Sequence, residues 1–78
     1  MPDHNHTYKI VELVGTSATS TDDAIRNAIS RASKTLKELD WFEVKETRGF
    51  IKDGGVGWFQ VTLRIGFRIL DEDELSSD

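Results

Sequence analysis

The sequence predicts an α+β domain in the order β-α-β-β, a three-stranded antiparallel sheet packed on a single helix. Three patterns point there: a β-branched opening segment, one amphipathic stretch of helical period, and two extended segments joined by a glycine-rich turn. Residues 7–14, Thr-Tyr-Lys-Ile-Val-Glu-Leu-Val, are rich in β-branched and aromatic side chains and form the first strand. Gly15-Thr16-Ser17 ends it, and a small polar loop follows. Ser20 or Thr21 can cap a helix, with Asp22 and Asp23 suited to the positive end of its dipole.

That helix is expected from about Asp22 to Leu39. Ala24, Ile25, Ala28, Ile29, Ala32, Leu36 and Leu39 make one apolar stripe, and Arg26, Arg31, Lys34 and Lys37 lie off it. A second strand runs from about Trp41 to Ile51. Lys52-Asp53-Gly54-Gly55 is a turn, because glycine adopts positive φ without a steric penalty. The third strand, about Val56 to Leu70, alternates. Phe59, Val61, Leu63, Ile65 and Phe67 share one face; Trp58, Gln60, Thr62, Arg64, Gly66 and Arg68 share the other.

At 78 residues the chain makes one domain. A chain this short buries only about 60% of its unfolded surface, and one core yields ~3–5 kcal/mol. Such domains recruit disulfides, metals or further subunits. With no cysteines, disulfides and thiolate metal sites are excluded, and oligomerisation is the route left. The absence of cysteine, of a signal-peptide pattern and of any apolar run near the ~20 residues of a membrane span predicts a soluble, cytoplasmic protein. A net charge of −4 argues against general nucleic-acid binding. Residues 1–6 read as a flexible tail, 7–70 as the domain, and 71–78 as an acidic, solvated end.

Catalytic machinery is not visible. The histidines, His4 and His6, fall in the N-terminal tail, where a His-x-His pair binds metal weakly at best. Gly54-Gly55-Val56-Gly57 lies between two strands rather than before a helix, so it is a hairpin turn and not a phosphate loop. Binding chemistry is better represented. Phe42 and Val44 share one face of the second strand, which turns the indole of Trp41 to the other. One helix covers one face of the sheet, with Phe59, Val61, Leu63 and Ile65 beneath it. The face carrying Trp41, Trp58 and Gln60 is left for a subunit or a ligand. An indole is a rigid platform for stacking a flat ring, and Gln60 offers a donor and an acceptor side by side. Arg48 and Arg68 suit a phosphate or carboxylate. On the residues alone, Trp41 is either an interface anchor or a ligand platform, and Trp58 either a pocket wall or an interface residue.

The segments Val11-Glu12-Leu13-Val14-Gly15-Thr16-Ser17, Leu39-Asp40-Trp41-Phe42-Glu43-Val44, Arg48-Gly49, Phe59-Gln60-Val61 and Val61-Thr62-Leu63-Arg64-Ile65-Gly66-Phe67-Arg68 resemble the dodecins, over roughly residues 7 to 69. That resemblance implies small β-α-β-β subunits whose sheets wrap partly around the helix. It implies assembly into hollow homododecamers of 23 symmetry. It also implies binding of flavin (riboflavin, FMN or FAD) as stacked pairs between symmetry-related tryptophans, for storage, buffering and photoprotection rather than catalysis. By motif, Trp41 is then the stacking indole and Gln60 the amide that reads the isoalloxazine edge. Arg48 and Arg68 fall near the flavin tail. Some bacterial members also bind coenzyme A, for which Arg31 and Lys34 are the weak candidates here. The competing expectation is the same shell holding another ligand or none. Trp58 and the acidic tail depart from the family pattern.

Overall fold

The computed structural model describes residues 6–70. Strand β1 (Thr7–Ser17) leads into helix α1 (Thr21–Ala32), then strand β2 (Leu39–Lys52) and strand β3 (Gly55–Ile69). The sheet is antiparallel with order β1-β3-β2, so the last strand is central and pairs on both sides. This is the predicted β-α-β-β fold. The expected tails lie outside the described residues, apart from position 6.

The β2–β3 hairpin turns on Asp53 and Gly54 at φ 52° and 78°, between the paired residues Lys52 and Gly55. Positive φ at both central positions is the two-residue turn whose twist matches that of the flanking strands. Helix α1 is capped as expected. Ser20 Oγ accepts from the Asp23 backbone N–H at 3.0 Å, and Ser17 Oγ donates to the Asp23 carboxylate at 2.7 Å.

Two boundaries differ from expectation. β1 continues through Gly15 to Ser17, pairing there with Val61, Gln60 and Phe59. Gly15 is needed in that strand for closeness, not for a turn: a Cβ there would collide with the Ala24 carbonyl oxygen and come within 2.8 Å of the Ala28 Cβ. The helix ends at Ala32 rather than Leu39. Ser33, Thr35 and Leu36 close a tight turn on the carbonyls of Ile29 and Ala32, and Glu38 then adopts φ 61°. Leu36 and Leu39 keep their apolar spacing because both still pack against the core outside the helix, Leu36 from this turn and Leu39 from the start of β2.

The core is small. Ala24, Ala28 and Ala32, spaced by four along α1, meet Val61, Leu63 and Ile65 of β3, with Val11 and Leu13 packed alongside. Each of the three fully buried β3 side chains contributes about 1.5–3 kcal/mol. Phe59 shares their face but is only half-buried. The twelve residues of α1 span about 18 Å, against about 50 Å for the 15 residues of β3. The helix packs chiefly on β1 and β3 and leaves most of β2 beyond Leu39 exposed. Phe42 and Val44, on the helix side of β2, are 46% and 45% exposed. A shallow apolar groove of about 110 Å³ runs beside them, lined by Ile29, Leu39, Asp40, Trp41, Phe42 and Ile65.

Candidate binding site

The strand register places the predicted site residues on the sheet face away from the helix. Reading across the three strands, Ile10, Gly66 and Trp41 form one row, and Tyr8 pairs with Arg68 beside it. Farther along, Glu12, Arg64 and Glu43 form a charged row. Thr16, Gln60 and Arg48 form another, next to the pair Trp58 and Phe50.

At the first end, the indole of Trp41 lies across Gly66. A Cβ on Gly66 would run into Cε2 and Cζ2 of the ring and stand 2.6 Å from Nε1. Glycine is thus the floor that lets the indole rest on the sheet with its outer surface free, and Trp41 stays 39% exposed. Tyr8 supplies a wall: its ring centroid is 6.4 Å from that of Trp41, tilted by 53°. The Tyr8 hydroxyl donates to Asp40 Oδ2 at 2.7 Å, tying β1 to the residue before the indole. That hydrogen bond, with Asp40's negative charge, raises the Tyr8 pKa above its ordinary value, while the Arg68 guanidinium opposes the rise. The Arg68 backbone N–H donates to the Glu38 carbonyl at 3.0 Å, which fastens the turn before β2 to this end of β3.

At the other end, Gln60 is half-buried opposite Arg48, whose Nη2 donates to Glu46 Oε2 at 2.9 Å. Trp58 stacks on Phe50, with centroids 4.6 Å apart and planes inclined by 21°. Between the ends, Glu12 accepts from Lys45 Nζ at 3.0 Å and from Arg64 Nε at 3.4 Å. Lys45 sits at a β-bulge in β2, the extra residue that turns it to this face. Hydrogen bonds from Lys45 and then Arg64 hold the Glu12 carboxyl below its ordinary pKa.

The structure therefore groups Trp41 with Arg68 and Gln60 with Arg48, and it does not bring the two groups together. Gly66 and Gln60 are six residues apart on β3, a separation of about 20 Å. Arg31, in the last turn of α1, and Lys34, in the turn after it, are exposed. Among the described residues no cluster of His, Cys, Asp and Glu is arranged to hold a metal, and no helix is long and apolar enough to cross a membrane. His4 lies outside the described residues. Sequence reasoning missed Tyr8 and the separation of the two groups. Both depend on strand register, which periodicity does not supply.

These features define a class: a small β-α-β-β domain with an exposed aromatic side chain at each end of the sheet face away from the helix. The chain belongs to the dodecin family, whose family model matches residues 7–70. It is 58% identical over 62 residues to the dodecin of Thermus thermophilus, a match covering 80% of this chain and 90% of that one. The structure of dodecin from Streptomyces coelicolor superposes with a TM-score of 0.84 at 53% identity, over 90% of this chain and 100% of that one. Dodecin from Streptomyces davaonensis gives 0.82 at 54% identity, over 86% and 98%. Solved T. thermophilus dodecins also include two arginine-to-alanine variants and one tryptophan-to-phenylalanine variant.

Proposed function

We propose that this chain sequesters flavin (riboflavin, FMN or FAD) on Trp41 within a homododecamer, for storage and photoprotection rather than turnover. The observation that carries this reading is the indole seated on Gly66 with its outer surface open. Isoalloxazine is flat and electron-poor, indole flat and electron-rich, so the two stack face to face. Such a stack adds about 0.5–1.5 kcal/mol beyond area burial. Electron transfer from the indole then quenches the excited flavin.

The separation of Trp41 and Gln60 supports assembly. A three-ring heterocycle is shorter than about 20 Å, so a flavin resting on Trp41 reaches an edge-reading amide only from another copy. Arg48 and Arg68 fit the same scheme as contacts for the ribityl tail or its phosphate, one from each end of the sheet face. The substituted tryptophan and the two substituted arginines of the T. thermophilus variants carry numbers lower by three than Trp41, Arg48 and Arg68 respectively, a constant offset that favours these three as the functional positions. Assembly also gives the exposed part of β2 a partner.

Titration of riboflavin or FMN with flavin-free protein tests the reading. Flavin emission is expected to be quenched strongly and to saturate near one flavin per subunit. Trp41→Ala is expected to lose tight binding while the particle keeps its size. Unchanged emission at micromolar wild-type protein rejects flavin as the ligand, and retained affinity in the variant rejects the stacking role.

A further inference from the structure

Trp58 is the large aromatic residue that the proposed site leaves unused. It is 42% exposed on the same sheet face as Gln60, two residues away along β3, or about 7 Å. One surface of its ring is backed by Phe50, its partner across the hairpin, at 4.6 Å. Trp58 is therefore a second indole held from behind and open in front, as Trp41 is held by Gly66.

We infer that Trp58 is a contact of the bound isoalloxazine, delivered together with Gln60 by the copy opposite the stacking Trp41. The inference rests on the flavin reading. If Gln60 reads the edge of a ring resting on another chain's Trp41, strand geometry brings Trp58 to the side of that ring in the same step. Phe50 fixes the indole before the ligand arrives, so little side-chain entropy is lost on contact. Arg48 is paired across from Gln60 on β2, whereas Trp58 is displaced from Gln60 along β3. The ring edge thus meets an apolar wall along the strand and a cation across it.

The test compares wild type, Trp58→Phe and Trp58→Ala by riboflavin titration, with particle size followed by light scattering. Riboflavin lacks phosphate, so the arginines do not dominate the result. Trp58→Ala is expected to raise Kd by roughly threefold to tenfold with particle size unchanged. Trp58→Phe, which keeps a ring against Phe50, is expected to recover most of that loss. Two outcomes overturn the inference: a Trp58→Ala Kd within twofold of wild type, or breakdown of the particle in that variant, which assigns the stack to packing between chains. Wild-type protein that does not quench riboflavin fails at the flavin reading itself. Wild type that quenches beside an unaffected Trp58→Ala refutes only the role of Trp58.

Discussion

Replacing Gly66 with alanine adds one methyl group and no charge, yet it removes the seat of the Trp41 indole. The new Cβ falls among the ring atoms Cε2, Cζ2 and Nε1, so the indole must swing off the sheet. Trp41 is 39% exposed, which leaves about 100 Å² of an aromatic side chain to cover a ligand. At 25 cal/mol per Å² that surface contributes about 2.5 kcal/mol, and ring stacking adds about 0.5–1.5 kcal/mol. Losing both weakens flavin binding by about two to three orders of magnitude. The assay is FMN fluorescence titration of Gly66→Ala beside wild type, with circular dichroism to confirm the fold. An affinity within threefold of wild type refutes the claim that Gly66 seats the stacking ring.

Gly15→Ala tests the close approach of α1 to β1. Its Cβ meets the Ala24 carbonyl, which is backbone and cannot rotate away, so a loss of about 1–3 kcal/mol is expected in urea unfolding. Glu12 sets a pH dependence. Hydrogen bonds from Lys45 and Arg64 lower its folded pKa below the ordinary 4.5, so their stabilisation is present above that pH and is lost as pH falls through the lower folded value. Glu12→Gln should flatten the acid limb of a Tm-against-pH curve below about pH 4.5, and an unchanged limb counts against the Lys45–Glu12–Arg64 cluster as its source.

Much of the fold was legible because local chemistry and tertiary packing agree. Val61, Leu63 and Ile65 alternate with Gln60, Thr62 and Arg64, and the sheet has one helix to bury the first set. Asp53-Gly54 meets the φ demands of a tight hairpin, and Ser20 caps the helix it precedes. The helix end was misplaced because Leu36 and Leu39 preserve the apolar spacing while the backbone at Ser33 and Glu38 abandons the helix. β1 was cut short because Gly15-Thr16-Ser17 has the composition of a turn, whereas the glycine is there to admit Ala24. The exposure of Phe42 and Val44 was hidden for a different reason. Alternation says which face a side chain takes, not how far a neighbouring helix reaches across it.

The site was legible in part. Alternation along β3 puts Gln60 and Arg68 on one face, but Arg48, seven residues from Trp41 on β2, reaches that face only through the β-bulge at Lys45, which alternation does not show. Their division into two groups follows from register between strands that are distant in sequence. On the proposed reading, that division requires a second copy of the chain for any single ring system that touches both Trp41 and Gln60.

Native mass spectrometry of the protein after saturation with FMN tests that requirement most directly. The account predicts a homododecamer carrying one flavin per chain, with the flavin lost from Trp41→Ala particles of the same chain number. A monomer that retains FMN, or an assembled particle that retains none, contradicts it.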